Sequence, residues 1–382
     1  MSLPQEIPRA AYVHVPFCAH RCGYCDFTLV ARRDDLIGGY LEGLERQIAS
    51  FPELQAGPVE VDTLFFGGGT PTHLPTRELE RLLTLIRRTF RLAPDGEFSV
   101  EANPSGLSPE KLDLLQGGEV TRISLGVQSF EQSELQLLER DHSAREIESV
   151  FGQLRERWNN LSLDLIFAIP GQTLAGWERN LERAVSLRPD HISAYGLTYE
   201  RGTAFWSKQS KGLLSAADQD LELRMYETAM DRLAAEGYPQ YEISNYARPG
   251  FECRHNQVYW RAEPFYGFGP GAASFLGNAR RLNHRSVTTW IRKVLVGESP
   301  IADEEILSPE DRARDAVLVG LRLVRGIEIA PFRERFGFDL LELGGEAAPR
   351  FLDRGWLEIV DGSLRLTRSG RCFADTVVAE FL

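Results

Sequence analysis

The amino-terminal half of the chain alternates short apolar runs with amphipathic segments. Each apolar run has the length of a β-strand, and the sequence after it carries apolar residues at helical spacing. The predicted strands are residues 12–17, 61–66, 98–101, 122–128, 163–169 and 191–197. Six successive strand–helix units predict an α/β fold with a parallel sheet, in which ligands bind at the carboxyl ends of the strands.

Two of the intervening segments carry clear helix signals. The helix after the first strand has one apolar face, formed by Ile37, Tyr40, Leu41, Leu44 and Ile48. The helix after the second strand is expected to start at a Thr76 cap. Glu78 and Glu80 follow in its first turn, and Arg87 and Arg88 lie in its last turn, as the helix dipole favours.

The pattern changes in the second half of the chain. Residues 216–236 predict a helix, residues 238–260 an aromatic, extended stretch, and residues 267–275 a tight loop that closes the pocket. Ser308 followed by Pro309 is a typical helix start, a cap and then proline at the first helical position. We expect that helix to run through residue 324.

The tail predicts a helix, a hairpin and a final helix over residues 351–382. Asp361-Gly362 between two apolar runs is a strong hairpin signal, so a mostly α-helical carboxyl-terminal region with a winged-helix-like module is expected. We divide the chain into residues 1–202, which hold the parallel strands, residues 203–299, which extend that unit and close the pocket, and residues 300–382.

Composition narrows the range of functions. The 382 residues carry a net charge of −12, with a pI near 5.2, which argues against general nucleic-acid binding because phosphate neutralisation needs a basic surface. No signal peptide and no apolar run of spanning length is visible. A cytoplasmic protein without a transmembrane segment is expected, and peripheral membrane contact stays open.

Three of the five cysteines lie in one loop directly after the first predicted strand. These are Cys18, Cys22 and Cys25, spaced C-x3-C-x2-C. A structural zinc site uses four protein ligands, whereas a 4Fe-4S cluster held by three thiolates leaves one iron open. Cys253 and Cys372 are distant in sequence. His14 or His20 would complete the alternative zinc site, but zinc ligands usually come as two separated pairs.

Polar and glycine residues mark the ends of the next strands. The second strand runs into Gly67-Gly68-Gly69-Thr70-Pro71, where glycine lets backbone approach a ligand closely, although the ending of a P-loop is absent. Glu101 and Gln128 are the last residues of the third and fourth predicted strands. The guanidinium of Arg140 can bind a carboxylate through two parallel hydrogen bonds. Asp164 lies in an apolar strand and needs a partner such as a ribose diol.

These motifs resemble the radical SAM superfamily. Four segments are similar to the oxygen-independent coproporphyrinogen III oxidase family and its relatives, the HemW-type haem chaperones. The segments are Tyr-Val-His-Val-Pro-Phe-Cys from Tyr12, Phe-Phe-Gly-Gly-Gly-Thr-Pro from Phe65, Ser-Leu-Gly-Val-Gln-Ser-Phe from Ser124, and Leu-Asp-Leu-Ile-Phe-Ala-Ile-Pro-Gly-Gln-Thr from Leu163. The resemblance implies a partial (β/α)6 radical SAM barrel, a 4Fe-4S cluster and S-adenosylmethionine (SAM).

The resemblance also implies a role for each motif residue. The three loop cysteines hold the cluster, and Gly68, Gly69 and the adjoining Thr70 belong to the segment that holds the SAM amino group. Arg140 binds the SAM carboxylate. The remaining positions are Gln128 and Asp164 at the ribose, Gly196 against the adenine, and Tyr12 and Glu101 at the SAM and tetrapyrrole end of the pocket.

Within that family the sequence favours the chaperones over the oxidases. Phe27 stands where the oxidases carry a further cysteine, and barely ten residues precede the first strand, where the oxidases have an extension. His255-Asn-Gln-Val-Tyr259 matches the H-N-x-x-Y pattern of the haem-binding relatives. Haem is then cargo for acceptor proteins, with His255 and Tyr259 near the iron. The alternatives are an oxidase that decarboxylates propionates, another radical SAM enzyme such as a methyltransferase or haem-degrading enzyme, and, for these two residues, a purely structural role.

Overall fold

The computed structural model describes residues 7–381. Its first part is a series of strands and helices in alternation. The elements are β1 (Ala10–Val15), β2 (Phe17–Cys18), β3 (Val30–Ala31), α1 (Ile37–Ala49), β4 (Val59–Gly68), α2 (Thr76–Thr89), β5 (Phe90–Ala102), α3 (Pro109–Gly117), β6 (Arg122–Gln128), α4 (Gln132–Leu137), α5 (Ala144–Arg155), β7 (Leu161–Phe167), α6 (Leu174–Ser186) and β8 (His191–Gly196). All six predicted strands are present, which confirms the parallel α/β fold.

The second part extends this sheet and adds helices. Its elements are α7 (Ala204–Ser210), α8 (Gln219–Ala235), β9 (Gln240–Glu242), β10 (Asn245–Ala247), α9 (Arg254–Trp260), β11 (Tyr266–Phe268), β12 (Ala273–Leu276), β13 (Ala279–Asn283), α10 (Val287–Leu295) and β14 (Ile301–Ile306). The nine-stranded sheet has the order β11-β1-β4-β5-β6-β7-β8-β10-β9. Strands β1 and β4 to β8 are parallel to one another, β11 is parallel to β1, and β10 is antiparallel to β8.

Side chains along the strands alternate between the two faces of the sheet, and one of these faces packs in the hydrophobic core. In β1, Ala11, Val13 and Val15 are fully buried in the hydrophobic core, while Tyr12 and His14 point to the opposite face. One core cluster extends from Ala11 to Val294, so both of the first two predicted parts contribute to it. A separate cluster extends from residue 313 to residue 381.

The carboxyl-terminal part contains mostly helices around a small antiparallel sheet. Its elements are α11 (Pro309–Gly320), β15 (Ile327–Glu328), α12 (Ile329–Phe336), α13 (Leu340–Leu343), α14 (Ala347–Asp353), β16 (Leu357–Val360), β17 (Ser363–Leu366), α15 (Arg368–Arg371) and α16 (Ala374–Ala379). Strands pair in the order β15-β17-β16. The predicted hairpin is present, and φ is positive at both Asp361 and Gly362, as a two-residue I′ turn requires. The comparison with a winged helix stays a prediction.

Three local predictions were wrong. Thr76 is the first residue of α2 rather than its cap, because Pro75 precedes the helix and no side chain caps it. The helix that starts at Ser308 ends at Gly320, not at residue 324, and its cap is a full capping box between Ser308 and Asp311. Residue 255 lies in a helix instead of an extended stretch.

The glycine-rich segment expected to be a closing loop is instead largely a strand. Residues 266–268 form β11, which adds a further parallel strand beside β1, and residues 273–275 belong to β12, so that only the turn over residues 269–272 between them is the predicted tight loop. Gly267 is required there, since a Cβ would lie 1.7 Å from the carbonyl oxygen of Ala273. No helix among residues 7–381 has both the length and the apolar composition to cross a membrane.

Candidate functional site

The carboxyl ends of the parallel strands open on one large cavity of 1390 Å³. Eleven sequence-predicted site residues line it, and they come from six different strands and the loops after them. These are Cys18, Cys22, Cys25, Gly68, Gly69, Thr70, Glu101, Gln128, Arg140, Asp164 and Gly196. The other three predicted residues, Tyr12, His255 and Tyr259, lie behind the wall of this cavity.

The cysteine loop follows β2 at one end of the cavity. All three thiols are free of disulfides. The Sγ of Cys18 lies 3.5 Å from the Thr70 hydroxyl, and a guanidinium nitrogen of Arg140 lies 3.7 Å from the Sγ of Cys22. Burial raises the pKa of Cys25 to about 11 and also raises that of Cys18. Cys18 and Cys25 would therefore gain their thiolate form by binding metal rather than by simple ionisation.

The geometry around the two nearby histidines does not support the zinc alternative. Nδ1 of His14 is hydrogen bonded to the Tyr12 hydroxyl at 2.9 Å, and its Nε2 to the carbonyl of Thr28 at 2.6 Å. His20 pairs with Glu139 at 2.9 Å. In the described part of the chain, no group of three or more His, Cys, Asp and Glu residues is arranged to hold a single metal ion.

The glycine segment lines the cavity beside the cysteine loop. Gly68 has φ of +106°, and a Cβ there would lie 2.4 Å from the His14 ring. A Cβ on Gly69 would meet backbone atoms of Phe17 and Val15 within 2.9 Å. Only glycine fits both positions, because the segment packs directly against the residues of β1 and β2, and the backbone of both glycines also lines the cavity.

Glu101 ends β5 beside this segment. Its carboxylate accepts a hydrogen bond from the backbone N–H of Gly68 at 3.1 Å. Burial, together with the nearby carboxylate of Asp164, raises the pKa of Glu101 to about 8. A carboxyl group that is protonated near neutral pH therefore lies between the glycine segment and the ribose-binding residues that the resemblance implies.

Gln128 and Arg140 are held by backbone geometry and by Asn103. A bulge between β6 and β7 places Gln128 at φ of +67°, which is costly for a residue other than glycine. Arg140 donates to the Asn103 side chain and to the carbonyl of Gly126 at 3.0 Å. Its buried Nε has no partner in the described chain, as expected for a residue that awaits an anion.

Asp164 has partners in the protein. Its carboxylate accepts hydrogen bonds from the hydroxyls of Ser193 at 2.7 Å and Ser124 at 3.1 Å. Burial raises the pKa of Asp164, and these hydroxyls, together with the positive charge of Arg122, oppose the rise. A bound ribose would therefore donate hydrogen bonds to a carboxylate that Ser124 and Ser193 already orient. It would not be the first hydrogen-bond partner of Asp164.

His255 and Tyr259 lie on α9 between the large cavity and a second one. Tyr259 and Tyr12 line that second cavity, which has a volume of 370 Å³. His255 is 1% exposed and stacks on Phe65, which lines the large cavity. Its Nδ1 is hydrogen bonded to Thr63 and its Nε2 to the Tyr259 hydroxyl, each at 2.8 Å.

Several residues of the site were not predicted. Asn103 orients Arg140, Ser124 and Ser193 orient Asp164, and Arg122 places a buried cation at the cavity wall. The sequence contained one usable signal, since Arg122, Ser124, Gly126 and Gln128 alternate with apolar residues along β6. Ser193 follows the same rule on β8.

The fold and the cavity define a class of protein. Residues 12–184 match the model of the radical SAM superfamily, and residues 307–373 match that of the HemN C-terminal domain. A solved structure described as coproporphyrinogen III oxidase (HemN) from Escherichia coli has the same fold. Its TM-score is 0.85 with 23% identity, over 99% of this chain and 90% of that one. The protein is a radical SAM protein, a class that implies a 4Fe-4S cluster and SAM.

Curated relatives identify the family within that class. The heme chaperone HemW of Bacillus subtilis is 36% identical over 98% of this chain and 99% of its own length. HemW of Lactococcus lactis is 36% identical over 98% of this chain and 97% of its own length. The chain belongs to the HemW family.

The residues present fit both implied groups. Three free thiols and the backbone of Gly68 and Gly69 line the cavity, and Arg140 has a buried N–H without a partner among the described residues. These features match a cluster with one open iron and a ligand that carries amino and carboxylate groups.

Proposed function

We propose that this protein is a haem chaperone that binds haem and a SAM-coordinated 4Fe-4S cluster and passes haem to acceptor proteins. The full-length similarity to HemW chaperones carries the proposal. The cavity supports it, because 1390 Å³ exceeds the roughly 300–1,000 Å³ of a pocket for one small ligand. A second ligand beside SAM has room there.

Different residues around the implied SAM site would bind different parts of the cluster and of SAM. The three loop cysteines would hold the cluster, whose open iron supplies a coordination site for the amino and carboxylate groups of SAM. Arg140 would pair with the carboxylate through its free N–H, and Gly68 and Gly69 would bring backbone groups close to the amino group. Asp164, oriented by two serines, would accept from the ribose hydroxyls.

Haem iron is proposed to bind near His255 and Tyr259. Burial lowers the pKa of His255 to about 3, so that its imidazole is neutral, the form that ligates iron. The ring packs against both Phe65, which lines the large cavity, and Tyr12, which lines the second one. Ligation through Nε2 requires the hydrogen bond to Tyr259 to open, after which the tyrosine is a second candidate ligand.

Optical titration of the purified protein with haem tests the proposal. Wild type should show a saturable Soret shift, and His255→Ala should weaken or move it. His142→Ala is a control, since His142 is also 1% exposed, is hydrogen bonded to the carbonyl of Val127 and lines neither cavity. An unaltered spectrum and affinity in folded His255→Ala would refute that ligand, even if haem bound elsewhere.

A second assay separates the chaperone from an oxidase. Reduced, reconstituted protein is incubated anaerobically with SAM and coproporphyrinogen III. The chaperone proposal predicts no vinyl product. Formation of 5′-deoxyadenosine together with a vinyl product would overturn it in favour of the oxidase.

A further inference from the structure

The large cavity continues well beyond the implied SAM site. Its far end is formed by α8, by the turn between β9 and β10, and by residues of the carboxyl-terminal part. Two arginines of that part, Arg322 after α11 and Arg371 at the end of α15, line this end. None of the residues assigned by the resemblance lies on these elements.

Both arginines have unused hydrogen-bonding capacity. The buried Nε of each has no partner within residues 7–381. Arg371 donates to the side chain of Gln240 through one terminal nitrogen. Arg322 lies 3.8 Å from a carboxylate oxygen of Glu242, too far for a hydrogen bond, and its guanidinium packs 4.6 Å from the centre of the Trp260 ring. Each guanidinium, which has five N–H groups, therefore keeps at least one buried N–H without an acceptor among residues 7–381.

The two arginines are held at neighbouring points. Gln240 and Glu242 are two positions apart in β9, so their side chains leave the strand on the same face about 7 Å apart. The hydroxyl of Tyr226 fixes this region further, because it accepts a hydrogen bond from Gln240 and donates one to the carbonyl of Ile243. A ligand with two separate carboxylates matches two guanidinium groups at this spacing better than a single anion does.

The surrounding wall suits a flat apolar ligand body. Tyr195 and Phe373 line the cavity and expose 43% and 42% of their surface, unusually much for aromatic side chains in a cavity wall. Asp220, Glu222 and Asp375 also line it, but none bonds to either arginine among the described residues. Exposed aromatic side chains in the same cavity as two arginines are suited to bind a planar ligand with two carboxylates.

We propose that Arg322 and Arg371 bind the two propionate carboxylates of haem, with the macrocycle against the aromatic wall. This inference rests on the proposed haem-binding function and names the part of the cavity that recognises the ligand. Arg322 packs on Trp260 in the same helix as His255, so the carboxylate site and the proposed iron site adjoin one helix.

Haem and its dimethyl ester, in which both propionates are neutral, distinguish this site from general apolar binding. Wild type should bind haem roughly 10-fold to 100-fold more tightly than the ester, as expected for charge-assisted hydrogen bonds. Arg322→Gln and Arg371→Gln should each reduce haem affinity toward that of the ester and leave ester affinity unchanged. Arg368→Gln is the matched control, because Arg368 lies in the same helix as Arg371 but pairs at the surface with Asp231.

Each result decides between the hypotheses. Equal affinity of wild type for haem and the ester would overturn the carboxylate site while leaving haem binding intact. A preference for haem that survives both substitutions, or that Arg368→Gln removes equally, would also overturn it. Absence of saturable binding of either ligand by wild type would refute the proposed function, and the carboxylate site with it.

Discussion

The buried carboxyl of Glu101 gives a prediction that does not require any ligand. In the folded protein its pKa is about 8, chiefly because burial disfavours the charged form, against 4.5 in an unperturbed side chain. Between these two values the folded state binds more protons than the unfolded state, so the stability should fall as the pH rises. At 1.36 kcal/mol for each tenfold change in proton affinity, the loss is at most about 5 kcal/mol.

Glu101→Gln removes this titration and keeps an oxygen that accepts from the Gly68 N–H. The unfolding free energy of cluster-free protein, measured by urea denaturation from pH 5 to pH 8.5, should fall more steeply in wild type than in the variant. Above pH 8 the variant should be the more stable of the two. Glu60→Gln is an opposite-sign control, since Arg9 and Arg91 lower the pKa of Glu60 at the surface. Parallel pH profiles for wild type and Glu101→Gln would refute a buried, proton-binding Glu101.

Two further predictions concern the implied cofactors. Anaerobic reconstitution should give about four iron and four sulfide per chain. Alanine at any of the three loop cysteines should abolish this, whereas Cys253→Ala and Cys372→Ala should retain it; one bound zinc without labile sulfide would contradict the cluster. Asp164→Asn should fold but weaken SAM binding by roughly 1.5 to 3 kcal/mol, through loss of a charge-assisted acceptor, as measured by calorimetry. Unchanged SAM affinity would exclude Asp164 from the site.

The sequence predicted those parts of the site that are encoded within one strand and the loop after it. Gly68, Glu101 and Gln128 lie at or next to the carboxyl end of an apolar strand, whereas Asp164 is an isolated polar residue within one, and parallel strands bring such positions together. Their convergence on one cavity follows from topology alone. Strand β11 escaped prediction because three residues have no measurable periodicity, and its place beside β1 depends on contacts distant in sequence.

Other features depend on tertiary partners that no local pattern specifies. Thr76 looked like a cap, but a cap needs a free side-chain oxygen beside the first N–H groups, and the helix already includes Thr76. The requirement of Asp164 for a partner was inferred correctly from its apolar surroundings. Which partner it has could not be inferred, because Ser193 lies on the neighbouring strand and is 29 positions away in sequence.

The H-N-x-x-Y pattern is compatible with two roles of His255 and Tyr259, a structural hydrogen-bonded pair and a pair of haem ligands. Positions i and i+4 of a helix lie on the same face, so His255 and Tyr259 reach each other through a local hydrogen bond. The contacts of His255 with Thr63 and Phe65 are long-range and bury the ring. A structural pair and a ligand pair therefore have the same sequence, and they differ by one hydrogen bond with a net worth of about 0.5–1.5 kcal/mol. Burial keeps the imidazole neutral, so the proposed ligation through Nε2 would require this bond to open and the single ring proton to lie on Nδ1, where it can be donated to Thr63.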